Sequence, residues 1–147
     1  MELIKNNMTE ADLAPCAQLY ANTFSQAPWN EPWTAHDAHQ RLEHMFASLG
    51  AVGVCLYSGD NLIGFVLGNT EPFLAQDLFY LREMCVKAEE QGSGIGTALM
   101  ESLMVSLKQQ GVGSIYLSTS PTSKAHVFYK KLGFKAAEDM AFMVKRV

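Results

Sequence analysis

The sequence predicts an α/β fold in which a mixed, mostly antiparallel and twisted sheet is flanked by about four helices. Two observations carry this prediction. Three strand-like apolar runs follow one another in residues 51–86, and the segments before and after them carry apolar residues at helical spacing. The length of 147 residues and the hydrophobic fraction of 48% suit one domain, 1–147, with a single core.

Charge and cysteine usage narrow the function classes. The formal net charge of -4 argues against nucleic acid or an anionic membrane as a partner, since both attract basic surfaces. No apolar run reaches the length of a membrane span, and the N-terminus lacks the apolar core of a signal peptide. Three scattered cysteines fit reduced thiols better than a disulfide frame or a zinc site. We therefore expect a cytoplasmic protein.

The first half of the chain should form a strand, two helices and a hairpin. Residues 2–6 suit a first strand, and residues 25–34 interrupt regular structure with two prolines. Thr9 with Asp12, and Thr34 with Asp37, are capping patterns that open helices. The second helix should cover residues 35–49 and end at Gly50, while the first should bury one apolar face, namely Leu13, Ala17, Tyr20 and Phe24.

The second half should add the remaining strands and two helices. Residues 51–57 and 61–70 form a predicted hairpin around the turn sequence SGDN, and residues 77–86 are the best candidate for a central strand. A helix should run from Ile95 to the glycines at 111 and 113, followed by a strand at 114–120. Residues 122–132 predict a short helix stopped by Gly133, and residues 134–147 predict closing strands.

Three closely spaced glycines lie at the junction between the strand at 77–86 and the next helix. Gly92, Gly94 and Gly96 are poor choices for stability, because glycine costs backbone entropy. They leave the first helical amides open to phosphate oxygens, which favours an anion site over a merely tight turn. A Walker loop is excluded because no GK[ST] follows. A dinucleotide fingerprint is excluded because the spacing is G-x-G-x-G and the next strand ends without an acid.

Two motifs resemble those of the GNAT superfamily of N-acetyltransferases. The stretch QGSGIG resembles the Q/R-x-x-G-x-G/A element, with Gln91, Gly94 and Gly96 in the matching positions. The stretch AHVFYKKLGF resembles the A-x-x-F-Y-x-K-x-G-F element through Ala125, Phe128, Tyr129, Lys131, Gly133 and Phe134. A helix and a strand separate the two elements, as in the family. Together they cover residues 79–134, whereas the N-terminal half matches in layout only.

The resemblance implies acetyl-CoA as co-substrate. Its pyrophosphate would lie on the glycine-rich element, which comprises Gln91, Gly92, Ser93, Gly94, Ile95, Gly96 and Thr97. Its pantetheine would pair with the edge of the preceding strand at Met84, Cys85 and Val86. Thr122 stands where the family often has asparagine and would still bond the pantetheine. Glu89 and Glu90 directly before the element are a departure, and we expect them to face solvent.

The resemblance also suggests catalytic residues. Tyr129 would protonate the leaving thiolate of CoA as a general acid; the alternative is an aromatic wedge under the cofactor. Glu83 is the only acid in residues 78–86 of the predicted strand and the first candidate for general base; a salt bridge with Arg82 or Lys87 is the alternative. Glu31 or a histidine of the second helix remain further candidates for the base.

Other side chains are candidates for contact with the acceptor, for metal binding or for a nucleophile. The resemblance implies that the segment around Trp29, Glu31 and Trp33 borders the acceptor. Its two flat rings and its acid suit an amine, although the tryptophans can equally plug a packing gap. His36, His39 and His44 do not share one helix face, so no metal is expected. Cys85 fits a small buried thiol better than a nucleophile.

The sequence therefore predicts an N-acetyltransferase that transfers acetyl directly to a primary amine of a small, cationic acceptor. The alternatives are an acetyltransferase for peptide or protein N-termini or lysines, and a non-catalytic acyl-CoA sensor. A homodimer is a candidate assembly, because domains of the family often pair.

Overall fold

The computed structural model describes residues 2–147, which divide into two compact units. The first unit ends at Tyr116 and contains five strands and three helices; the second covers Leu117–Val147 and contains one helix. The strands are β1 (Leu3–Asn7), β2 (Ala51–Ser58), β3 (Asn61–Glu71), β4 (Asp77–Val86) and β5 (Val112–Tyr116). The helices are α1 (Leu13–Phe24), α2 (Ala35–Phe46), α3 (Ile95–Gln109) and α4 (Lys124–Lys131).

The predicted caps begin the first two helices. The Thr9 amide donates to Asp12 Oδ2 over 2.8 Å in a short 3-10 turn that leads into α1. The Asp37 amide donates to Thr34 Oγ1 over 3.0 Å at the start of α2. Each cap gives a partner to an amide that the helix itself leaves unpaired. The helix α2 ends at Phe46, before the predicted end at residue 49, because the turn at Ala47 closes it.

The sheet has the order β1-β2-β3-β4-β5, and every pair is antiparallel except β4 with β5. The mixed α/β architecture predicted from the sequence is confirmed. The strand β4 lies inside the sheet, with β3 and β5 on its two sides, as predicted for a central strand; β3 is the middle strand of the five. The strand β5 begins at Val112, so Gly113 lies inside it rather than before it.

An extra residue interrupts the pairing of β3 with β4. Leu67 pairs with Glu83 and Gly68 pairs with Leu81, so Arg82 has no opposite residue. Such a bulge turns consecutive side chains away from the simple alternation of a strand. It lies within the stretch that was predicted to carry the catalytic base.

The two faces of the sheet bury different helices. The core cluster of α1 and α2 includes Phe65 and Leu67 of β3, together with Cys55 and Cys85. On the other face, a Cβ at Gly64 would lie 3.0 Å from Leu99 Cδ1, which shows how closely α3 packs on the sheet. Alternation along β3 therefore places α1 and α2 on one face and α3 on the other. Among residues 2–147, none of the helices has the length and apolarity needed to span a bilayer.

The second unit contains α4, but its predicted closing strands are absent. The Ser123 hydroxyl accepts from the His126 amide over 3.1 Å at the start of α4, and Gly133 follows the helix with φ 96°. No strand is assigned between residues 134 and 147, contrary to the sequence prediction. Apolar alternation forms a strand only beside a second strand, and residues 117–147 provide none. Met140, Phe142, Met143 and Val144 are exposed.

Candidate active site

The glycine turn lies between the end of β4 and α3. Gly92 and Gly94 have φ of 85° and 88°, and a Cβ on either would meet no atom within 4 Å. The backbone conformation therefore requires glycine, and the space in front of it is open. No acceptor within residues 2–147 receives a hydrogen bond from the amides of the turn and first helical positions, which are those of Gly92, Gly94, Ile95, Gly96 and Thr97.

The side chains beside these amides brace the turn. Gln91 Nε2 donates to the Val86 carbonyl over 3.0 Å, and the Ser93 hydroxyl donates to the Glu90 carbonyl. Glu89 is exposed and Glu90 is half-buried. The open amides, the braced loop and the positive end of the α3 dipole are features that favour an anion as ligand.

The strands β4 and β5 stop pairing near the middle of β4. Their parallel ladder ends with Tyr80 opposite Tyr116, whose rings stack at 4.7 Å between centroids. Beyond this point, Met84, Cys85 and Val86 pair with β3 on their other side. The strand edge at which a pantetheine was expected is therefore not covered by β5.

Glu83 is buried and its Oε1 atom accepts three hydrogen bonds. The Tyr20 hydroxyl donates over 3.2 Å, and Arg41 donates through Nε and Nη2 over 3.1 and 3.0 Å. Glu83 forms its ion pair with Arg41 of α2, so the predicted partner, Arg82 or Lys87, is wrong. The bulge and the packing of α2 bring this more distant guanidinium to Glu83 instead.

The second carboxylate oxygen of Glu83 remains available. No donor within residues 2–147 bonds Oε2, and this atom is not among the buried side-chain atoms without a partner. Burial raises the pKa of Glu83, and the charge and hydrogen bonds of Arg41 act against that rise. A fixed carboxylate with one open oxygen and a raised pKa has the properties of a general base.

Aromatic side chains connect the loop before α2 to Glu83. The Arg41 guanidinium lies 5.8 Å from the Trp33 ring centroid, and Trp33 meets Tyr20 edge-on at 5.2 Å. Trp33 is half-buried against the core and donates to Glu31 Oε1 over 3.1 Å. Trp29, by contrast, is 44% exposed and contacts Phe24. Trp33 thus has a packing role in this cluster, and the face of Trp29 is the more accessible.

A cavity of about 410 Å³ lies beside this cluster. It is lined by Trp33, Asp37, Gln40, Arg41, His44, Met45 and Arg82. Arg82 reaches it because the bulge turns Arg82 and Glu83 toward the α1 and α2 face.

The cysteines are buried as thiols, and the histidines of α2 lie outside the hydrogen bonds that hold Glu83. Within residues 2–147, no group of three or more potential ligands is close enough for a metal. Burial raises the pKa of Cys85 to about 12, which keeps the thiol protonated. Cys16 and Cys55 are buried with their sulfur atoms 3.8 Å apart.

The predicted general acid belongs to the second unit. Tyr129 of α4 is 8% exposed and contacts Phe128 and Phe134 edge-on, at 5.2 and 5.4 Å between centroids. Thr122 is exposed, and its hydroxyl lies 3.3 Å from that of Ser120. These contacts of Tyr129 and Thr122 are with residues of the second unit.

Sequence reasoning missed Tyr20, Arg41 and the pocket position of Arg82. Tyr20 was expected on the buried face of α1, and a buried phenol needs a hydrogen-bond partner. The need of the Tyr20 hydroxyl for a partner was therefore the signal in the sequence that pointed to a buried polar contact. Arg41 carried no comparable signal, because an arginine on an amphipathic helix ordinarily faces solvent.

Known proteins resemble the chain in sequence and in fold. Residues 14–134 match the model of the acetyltransferase (GNAT) family. A [ribosomal protein bS18]-alanine N-acetyltransferase of Haemophilus influenzae is 28% identical over 83 residues, which cover 56% of this chain and 54% of that protein. The match thus spans about half the length of this curated relative.

Solved structures share the fold over nearly the whole chain. A ribosomal-protein-alanine N-acetyltransferase from Brucella melitensis has a TM-score of 0.76 and 17% identity, over 99% of this chain and 100% of that one. An aminoglycoside N-acetyltransferase, AAC(6')-Iy, in complex with CoA has a TM-score of 0.77 and 15% identity, over 99% and 96%. The family match, which covers most of the chain, shows that the protein belongs to the acetyltransferase (GNAT) family.

Proposed function

We propose that the protein transfers the acetyl group of acetyl-CoA directly to a primary amine, with residues 1–147 acting as one acetyltransferase domain. The observation that carries this proposal is the set of open amides at the glycine turn, in a region that matches the family. Positive φ at Gly92 and Gly94 supports the fit, because any Cβ there would enter the open space.

The glycine turn and β4 would hold the co-substrate. The amides at residues 92–97, together with Gln91 and Ser93, would bind its pyrophosphate. The backbone of Met84, Cys85 and Val86 would guide the pantetheine, with Thr122 as a further hydrogen-bonding group. Acetyl-CoA, when bound, supplies an activated thioester. The neutral pantetheine would therefore contact the end of β4, and the charged pyrophosphate would contact the glycine turn that follows it.

Two side chains would move protons during transfer. Glu83 Oε2 would take a proton from the acceptor ammonium, directly or through water, because an ammonium cannot attack. The Tyr129 hydroxyl would give a proton to the leaving sulfur. Tyr20 and Arg41 hold Oε1 and so leave Oε2 for this task.

The acceptor is proposed to be a small molecule whose amine is cationic before transfer. The net charge of -4 and the exposed acid Glu31 beside Trp29 and Trp33 support an ammonium ligand. A peptide or protein amine is the second candidate, which the similarity to a ribosomal-protein-alanine acetyltransferase favours.

Thiol release from acetyl-CoA in the presence of a panel of amines and peptides tests the activity. We expect release with at least one amine and calorimetric binding of CoA in preference to NAD and ATP. Tight binding of NAD without binding of CoA would overturn the proposal.

Tyr129→Phe separates an enzyme from a non-catalytic acyl-CoA sensor. We expect turnover to fall by about 100-fold while CoA affinity is retained, since general acids commonly contribute that much. Tyr57→Phe is the matched control. The hydroxyl that it removes donates to Asp12 Oδ1 over 2.6 Å, and Tyr57 pairs with Ile4 of β1, away from β4. Equal turnover in both variants would contradict the acid role of Tyr129.

A further inference from the structure

Arg82 is a cation that the bulge of β4 places at the cavity beside α2. As the extra residue of the bulge, it faces the same side as Glu83 and lines the cavity with Trp33 and His44. It lies two residues beyond Tyr80, the last residue of β4 that pairs with β5. The fold thus presents a guanidinium where the two strands part.

An aromatic ring, rather than an acid, holds Arg82. Its guanidinium carbon lies 5.1 Å from the Tyr80 ring centroid, and Tyr80 is stacked on Tyr116. A ring supports the flat face of a guanidinium and leaves its N–H donors at the rim unoccupied. Within residues 2–147, the Arg82 side chain makes no hydrogen bond and no ion pair. Its donors are therefore free for a ligand.

The other arginine of the cavity is already neutralised. Two donors of Arg41 bond Glu83 Oε1, so that its charge is compensated from behind the cavity wall. Asp37 is the acid among the lining residues, and it lies in the first turn of α2, where the helix dipole stabilises a negative charge. Asp37 forms no ion pair with Arg82. Arg82 is thus the arginine of this cavity that forms no ion pair among the described residues, although Glu83 lies close enough for the two charges to interact.

We propose that this cavity binds a carboxylate of the acetyl acceptor, with Arg82 as its counter-ion. The acceptor class is then an amine that also carries a carboxylate, such as an amino acid with an acidic side chain. Guanidinium and carboxylate match as a two-pronged pair of hydrogen bonds, which fixes the orientation of the ligand. This inference rests on the proposed acetyltransferase function, and it replaces a net-cationic acceptor by one whose ammonium is accompanied by a carboxylate.

Matched acceptors test the inference through a single group. The α-amides of glutamate and glutamine, and those of aspartate and asparagine, differ in the side-chain carboxylate and keep the same α-amino group. Amidation removes the α-carboxylate, which Arg82 could otherwise bind in both members of a pair. In the wild type we expect kcat/KM to be about tenfold higher for the acid of each pair, the effect of one lost hydrogen bond to a charged group. Arg82→Gln should abolish this preference by lowering the value for the acid alone.

Lys5→Gln is the charge-matched control, because Lys5 is an exposed cation on β1, at the far edge of the sheet. It should leave the preference unchanged. Equal use of acid and amide by the wild type, or an equal loss for both in Arg82→Gln, would overturn the inference while leaving the acetyltransferase function intact. Absence of CoA binding would instead defeat the proposed function.

Direct binding keeps the inference testable if none of these amino acids is acetylated. Glutarate and its diamide are titrated by NMR into the full chain saturated with CoA. We expect glutarate to bind at least about tenfold more tightly than the diamide, and Arg82→Gln to remove the difference. Equal affinities in the wild type would overturn the carboxylate site.

Discussion

The glycine turn and the cluster around Glu83 belong to the same strand, β4, but they are built in opposite ways. The turn follows the strand end, is mostly exposed, and leaves its amides open. Glu83 lies within the strand, is 9% exposed, and has one oxygen saturated by donors from two helices. The first offers unpaired groups to a ligand, and the second holds a charged group in a fixed position.

This difference separates a general binding element from a specific one. Backbone amides at a helix start bind a phosphate whatever the rest of that ligand is. A carboxylate held by Tyr20 and Arg41 acts only on a group brought to its open oxygen. Substitutions that change the choice of acceptor should therefore lie around Glu83, whereas the glycine turn should not tolerate substitution.

The largest expected effect comes from removing the proposed base. Glu83→Gln keeps an acceptor for Tyr20 and Arg41 but cannot take a proton, so we expect kcat/KM to fall by about 100-fold. The rise of kcat/KM with pH that reflects Glu83 should also disappear. Glu101→Gln, an exposed acid of α3, is the control and should behave as the wild type. Activity within twofold of wild type in Glu83→Gln, with an unchanged pH profile, would disprove the base.

A smaller effect is expected from closing the glycine turn. Gly94→Ala places a Cβ in the open space and in a left-handed conformation, which costs about 1–2 kcal/mol. Gly111→Ala is a matched control, because Gly111 has φ 84° and equally open surroundings after α3. Both variants should lose similar unfolding free energy in urea. CoA affinity measured by calorimetry should fall, by about tenfold, in Gly94→Ala alone; equal affinities would show that the turn does not contact CoA.

The smallest effect is a displacement of the pH profile. Burial raises the pKa of Glu83, whereas Arg41 and Tyr20 lower it by stabilising the carboxylate. Removing either donor should raise this pKa further, so more alkaline pH is needed to ionise Glu83. The acidic limb of kcat/KM should move to higher pH in Arg41→Gln and, by less, in Tyr20→Phe. A limb that stays in place or moves to lower pH would show that the cluster does not set the ionisation of Glu83.

The same contrast explains what could be predicted from the sequence. The bounds of β4, the cap of α2 and the glycine turn depend on neighbouring residues, and each was predicted correctly. The Glu83 cluster depends on contacts across 42 and 63 residues of sequence, to Arg41 and Tyr20. Local patterns carry no information about such pairs. The prediction of strands at 134–147 failed for the same reason, since a strand needs a partner elsewhere.

Arg82 is the one residue by which β4 exceeds β3 at the bulge. Its consequence is that strand length, as much as side-chain identity, determines the polarity of the cavity beside α2. Deleting this single codon would restore regular alternation and remove the guanidinium from the cavity in one step. Among natural variants, insertions and deletions in β4 would then alter substrate choice more abruptly than substitutions, and scanning mutagenesis would not detect it.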